Sequence, residues 1–270
     1  MATTYDELVR LCTNGSTEPY DYQRRIAAEG LPELLNIPTG AGKTMAVVLG
    51  WLYRRRFHPD LAVRAATPHW LVICQPMRTL VEQVRKNAET WLNAAGLADD
   101  VDPVNLFVFM GGEPTAENDW RLQVHQDAII VGTQDMLLSR ALNRGFGSSR
   151  FLWPVEFGVL NTGCHWVFDE VQLMGAGVPT GRQLAAIHPR IEAGEGQCIE
   201  NAIGHGGIFV NVGDENFRRR GRVKSKTGGS VGAESAKTID INRSAAAQGV
   251  AHERRDDFDG AGAISWHGPA

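Results

Sequence analysis

This 270-residue sequence predicts an α/β fold: a parallel sheet with helices on both faces. Three observations carry that. Apolar runs of strand length recur at Leu34-Leu35-Asn36-Ile37, Leu71-Val72-Ile73-Cys74, Leu106-Phe107-Val108-Phe109, Ala128-Ile129-Ile130-Val131 and Trp166-Val167-Phe168. Helix-like amphipathic stretches, Arg78 to Leu92 and Asp135 to Leu142, lie between several of them. Strands that are apolar throughout, alternating with helices, belong to parallel sheets buried on both faces. The third observation is a glycine-rich turn, Ile37-Pro38-Thr39-Gly40-Ala41-Gly42-Lys43-Thr44, placed between the first run and the apolar stretch Met45 to Tyr53.

That turn has the composition of a phosphate-binding loop. Gly40 and Gly42 let the chain curl until successive N–H groups, those of Thr39 to Thr44 including Ala41, point at one anion. Lys43 adds a fixed positive charge for the β- and γ-phosphates of ATP, and the Thr44 hydroxyl suits Mg²⁺. Strand, glycine loop and helix in that order put phosphate at a helix N-terminus. The general pattern has glycine where this sequence has Ile37.

A second acidic element completes a triphosphatase set. Val167-Phe168-Asp169-Glu170 is an apolar strand ending in two acids, 126 residues beyond Lys43. Asp169 suits Mg²⁺, and Glu170 suits the polarisation of an attacking water. The catalytic set expected from sequence is therefore Lys43, Asp169 and Glu170, with Thr44 and Asp169 toward the metal.

Composition narrows the setting. The net charge is −4, so nucleic-acid contact, if any, comes from a local groove. Cys12, Cys74, Cys164 and Cys198 form no C-x-x-C pair, which points to reduced thiols in a cytoplasmic protein. No run approaches the ~20 apolar residues of a membrane span, and no membrane partner is expected. His165, beside the acidic pair, reads as a strand residue.

The two parts of the chain differ. Leu occurs 21 times in residues 1–184 and never in 185–270, where about ten would follow from its usual abundance. Residues 1–186 are expected to be the folded domain. Residues 187–270, rich in Gly, Ala and Arg, are expected to be a low-order tail or an out-of-frame continuation. The tail has one strand-like run, Ile208 to Val212, and a basic cluster, Arg218-Arg219-Arg220-Gly221-Arg222, read as a solvated charge run.

Together these residues resemble superfamily 2 helicases, specifically an N-terminal RecA-like lobe. Tyr22-Gln23-Arg24 resembles the family's upstream glutamine motif, which implies that the Gln23 amide reads adenine. Gln75-Pro76-Met77-Arg78-Thr79-Leu80, Gly111-Gly112-Glu113 and Val131-Gly132-Thr133-Gln134-Asp135 resemble its strand-contacting motifs. They imply nucleic-acid contacts at Arg78, Thr79, Gly112, Thr133 and Gln134; Thr79, Thr133 and Gln134 could instead cap helices. Asp169-Glu170-Val171-Gln172 resembles the D-E-x-H/D/Q signature, placing Gln172 at the nucleotide.

Residues 131–142, Phe151 to Gly158 and Trp166 to Gly175 are similar to the Cas-three helicase–nucleases of type I CRISPR interference, subtype U. That resemblance covers about residues 1–186. It implies ATP-driven movement on single-stranded DNA and a CRISPR targeting complex as partner. The family's S-A-T motif, second lobe with arginine finger and nuclease His-Asp pair are not found. The chain by itself is therefore expected to bind ATP weakly, hydrolyse it slowly and not unwind. A P-loop ATPase with no nucleic-acid work and a non-catalytic DNA- or partner-binding module are the alternatives.

Overall fold

The computed structural model describes residues 4–32, 34–37, 40–98, 101–111, 120–192, 208–211 and 264–265. Cys198, Val212 and the Arg218–Arg222 cluster lie outside them.

Seven strands form one sheet in the order β3-β4-β2-β5-β6-β1-β7, and every neighbouring pair is parallel. The strands are β1 (Leu34–Asn36), β2 (Trp70–Gln75), β3 (Asn105–Phe109), β4 (Ala128–Thr133), β5 (Cys164–Phe168), β6 (Ile208–Asn211) and β7 (Ile264–Ser265). The five apolar runs of the sequence are β1 to β5. All six residues of β2 and of β4 are buried, which is why these strands are apolar on both alternating sets of side chains.

The alternation sorts the core into two halves. Leu71, Ile73, Ile129, Val131 and Val167 face the helices α1 (Tyr5–Cys12), α2 (Asp21–Glu29), α3 (Lys43–Leu52) and α5 (Arg78–Ala94). Trp70, Val72, Cys74, Ile130, Trp166 and Phe168 face the other way. There they pack with α6 (Gln134–Ala141), the end of α7 (Trp153–Leu160) and the start of α8 (Gly177–Glu192). A short helix, α4 (Leu61–Ala66), leads into β2.

Local chemistry sets the helix ends. Thr4 and Glu7 form a capping box on α1: the Glu7 N–H donates to the Thr4 hydroxyl at 3.2 Å, and the Thr4 N–H donates to the Glu7 carboxylate at 3.3 Å. Past α3 the chain widens into a π turn at Tyr53–Phe57. This turn aims Arg55 and Arg56 at the buried Asp127, at 2.8 and 2.6 Å, with His69 Nδ1 also 2.8 Å from that carboxylate. The clamp ties the end of α3 to the start of β4.

Two features cross residue 186. Helix α8 runs through it, from Gly177 to Glu192. Strand β6 lies between β5 and β1, with Leu34 opposite Phe209, and β7 pairs β1 on its other side, with Leu35 opposite Ile264. Both neighbours of β1 thus come from the Leu-free part of the chain. Among the described residues, no helix is long and apolar enough to cross a membrane.

Candidate nucleotide site

Register brings the predicted site together at the C-terminal edge of the sheet. Gln75 lies opposite Thr133 across β2 and β4, and Cys74 lies opposite Phe168 across β2 and β5. Asp169, one residue past β5, is therefore level with Gln75. Its N–H donates to the Cys74 carbonyl at 3.1 Å, carrying the ladder one step further.

The glycine loop leaves β1 through the fully buried Ile37; Thr39 lies outside the described residues. Gly40 and Gly42 have φ of +83° and +77°, a region glycine enters without the cost other residues bear. At Gly42 there is also no space: a Cβ would sit 2.8 Å from Gln23 Nε2. Helix α3 begins directly after it with Lys43.

Two residues of α2 brace this loop. Gln23 is fully buried; its Nε2 donates to the Gly42 carbonyl at 3.1 Å and its Oε1 accepts the Tyr20 N–H at 2.9 Å. The Tyr22 hydroxyl donates to the Ala41 carbonyl. The sequence motif implies a Gln23 amide that reads adenine. Here both ends of that amide are bonded within the protein, and its contact is with the loop.

Lys43, Thr44, Val47, Ile73, Val167 and Asp169 line one cleft. Lys43 is buried, and its Nζ lies 3.1 Å from Glu170 Oε1. Gln172 Nε2 donates to the other Glu170 oxygen at 2.5 Å. Gln172 therefore touches Glu170, and its own Oε1 is buried without a protein partner. Glu170 has φ +53° and ψ +45°, an uncommon conformation for a non-glycine residue that is found at functional sites.

Asp169 accepts from Gln75 Nε2 at 3.0 Å and from the Glu170 N–H at 2.9 Å. Burial pushes its carboxyl above the usual carboxylate range, while the Gln75 hydrogen bond and the Lys43 charge pull it back. An oxygen ligand held this way gains from a cation. The sequence motifs did not assign Gln75 or Tyr22 a role. The signal for Gln75 was present: a lone amide at the end of an otherwise apolar strand.

The residues read as nucleic-acid contacts divide. Arg78 and Thr79 are exposed in the first turn of α5, which has no side-chain cap. Thr133 occupies the N-cap position of α6, is buried and makes no capping bond through its side chain. Gln134 is half-buried; its Oε1 has no protein partner and packs against Gly177 so closely that a Cβ there would clash with it. Gly112 lies outside the described residues. Because Gln75 and Thr133 are level, α5 and α6 start on the same edge as Asp169.

The family model of the DEAD/DEAH box helicases matches residues 20–200. This protein belongs to that family. Its motor domain is of the superfamily 2, RecA-like type, and DEAD/DEAH helicases bind ATP and in general have ATP-dependent helicase activity. The helicase MrfA, solved with DNA and AMPPNP, is similar at 16% identity and a TM-score of 0.50, over 78% of this chain and 26% of that one. The RNA helicase Prp28 from Chaetomium thermophilum, bound to ADP, is 20% identical with a TM-score of 0.42, over 76% and 42% of the two chains. A hypothetical ATP-dependent RNA helicase from Sulfolobus tokodaii is 18% identical with a TM-score of 0.43, over 78% and 50%. This chain thus spans about a quarter of the length of MrfA. Comparison with curated protein sequences gives no match.

Proposed function

We propose that this helicase domain is an ATP-hydrolysing motor lobe that acts on single-stranded DNA. The observation that carries the reading is the convergence of Lys43, Thr44 and Asp169 on one cleft, although 126 residues separate Lys43 from Asp169.

The site fits Mg²⁺–ATP by its donors. Thr44 and Asp169 supply a hydroxyl and a carboxylate, the sparse oxygen set of an ion that keeps waters and shares a nucleotide's phosphates. When bound, Mg²⁺ neutralises charge on the transferring phosphoryl group. Loop N–H groups and Lys43 hold the phosphates. Lys43 must first leave Glu170, 3.1 Å away, and that exchange frees the Glu170 carboxylate to orient water and accept its proton. Gln172, on the second Glu170 oxygen, keeps that carboxylate aimed as Lys43 departs.

Motor work on a strand is supported by the exposed Arg78 and Thr79 and by the uncapped starts of α5 and α6 on the cleft's edge. The resemblance of residues 131–142, 151–158 and 166–175 to the Cas-three helicase–nucleases supports a role in CRISPR interference, with the targeting complex as partner.

Titration with a fluorescent ATP analogue, with and without Mg²⁺, tests the site, together with ATP hydrolysis in the presence of oligo-dT. Lys43→Ala abolishes binding on this reading; binding that survives it sinks the assignment. If oligo-dT neither binds the protein nor changes its slow hydrolysis, the motor role is removed and an ATPase remains.

A further inference from the structure

We propose that the segment Leu142–Val155, which joins α6 to α7 and includes the first residues of α7, is a second contact surface for single-stranded nucleic acid, apart from the residues read above as nucleic-acid contacts. The proposal rests on the reading of this domain as a nucleic-acid motor. Phe151 is 92% exposed and Phe146 65%. Large aromatic rings left in water are unusual in a domain that buries Trp51, Trp120 and Phe168 almost completely.

Charge selects the occupant. The segment reads L-N-R-G-F-G-S-S-R-F-L-W-P-V and contains two arginines and no acid, in a chain of net charge −4. Arg144 and Arg150 are exposed and flank the two phenylalanines in sequence. The Arg150 guanidinium also lies 5.9 Å from the centre of the Trp153 ring. Cations interleaved with exposed π-faces match a flexible polyanion that carries flat bases.

The segment is also built to hold its shape. Trp153 Nε1 donates to the carbonyls of Gly145 and Ser148 at 3.1 and 3.2 Å. The Phe146 N–H donates to the Ser139 hydroxyl at 3.1 Å. Ser148 donates at 2.7 Å to Glu156, a carboxylate buried between Arg121 and Arg140. A Cβ at Gly145 would meet the Trp153 ring at 2.5 Å. The backbone is therefore anchored from below while the rings face solvent, which lowers the ordering cost of binding.

The test uses the full chain and fluorescence anisotropy with oligo-dT and oligo-U of equal length, across a salt series. Phe146→Ser with Phe151→Ser weakens binding roughly tenfold for each ring, because a stacked base is worth about that much. Arg144→Gln with Arg150→Gln lowers the slope of log affinity against log salt by about 0.7 for each phosphate no longer neutralised. ATP-analogue binding is unchanged in both. Phe151→Ser alone, at the most exposed ring, serves if the double variant does not fold. A preference for dT or U identifies the strand and supports the proposal either way. Should Arg78→Ala weaken binding while the phenylalanine variants do not, the rings belong to a protein contact and the proposal falls, with the motor reading intact. If the parent chain binds neither oligonucleotide at low salt, both fall.

Discussion

Gln75 holds Asp169 across two strands: its Nε2 lies 3.0 Å from Asp169 Oδ2, at the level where β2 and β5 end. The carboxylate suited to the metal is thus positioned by the neighbouring strand. Replacing Gln75 by Ala removes a hydrogen bond to a charged group, worth about 1.5–3 kcal/mol. The expected outcome is a roughly tenfold or greater loss of Mg²⁺-dependent nucleotide affinity with little change in Mg²⁺-independent binding. A Mg²⁺ titration of a fluorescent nucleotide checks it.

Lys43 and Glu170 neutralise each other in the cleft. Glu170→Gln releases Lys43 and removes the group placed to accept the water's proton. Nucleotide binding is expected to tighten while single-turnover hydrolysis slows by about 10² or more, the usual contribution of general base catalysis. Equal loss of both would mean that Glu170 serves structure alone.

The two loop glycines are expected to respond differently to alanine. Both carry positive φ, so each substitution costs about 1–2 kcal/mol in backbone strain. Only at Gly42 does the new Cβ also strike Gln23, at 2.8 Å; at Gly40 it meets nothing within 4 Å. Gly42→Ala should therefore lose more nucleotide affinity than Gly40→Ala, as calorimetry of the two variants would show.

Asp127 is buried beneath Arg55, Arg56 and His69. Its removal leaves two guanidinium groups without their shared partner. Breaking a buried pair costs about 3–5 kcal/mol, less here because the arginines are partly solvated. Urea unfolding of Asp127→Ala should show about 2–3 kcal/mol lost, with no selective effect on nucleotide binding.

Cys12, Cys74 and Cys164 are free and buried. Burial pushes the Cys12 thiol up to about 12 and also raises the other two. At pH 8 the reactive thiolate at Cys12 is then about 10⁻⁴ of the total. Folded protein should resist iodoacetamide at these three positions and react at all of them in denaturant, as peptide mass spectrometry would record.

The sequence disclosed what is local and hid what depends on register. Strands β2 and β4 were legible because burial on both faces leaves one continuous apolar run. The glycine loop and Asp169-Glu170 were legible because their chemistry needs a few adjacent residues. Helix α7 (W-P-V-E-F-G-V-L) gave no periodic signal, since its residues are mostly apolar all round. The Gln75 and Tyr22 roles required knowing which strand ends are level and where α2 lies against the loop. Gln23 was recognised by its resemblance to the family's glutamine motif, but whether its amide faces a base or the loop carbonyl is a matter of packing. The run at Ile208 read as a strand; its position between β5 and β1 could not be read, because parallel partners are distant in the chain.

That position governs the order in which the site can form. Among the described residues strand β1 pairs with β6 and β7 alone, and its partners Phe209 and Ile264 follow Leu34 and Leu35 by well over a hundred residues. During synthesis the glycine loop emerges early, yet its strand has no edge to join until residue 208 has been made. Closing so long a loop is slow. A growing chain therefore carries its glycine loop on an unpaired strand until residue 208 has been made, so the phosphate loop is set after the carboxylates at 169 and 170 are already in place.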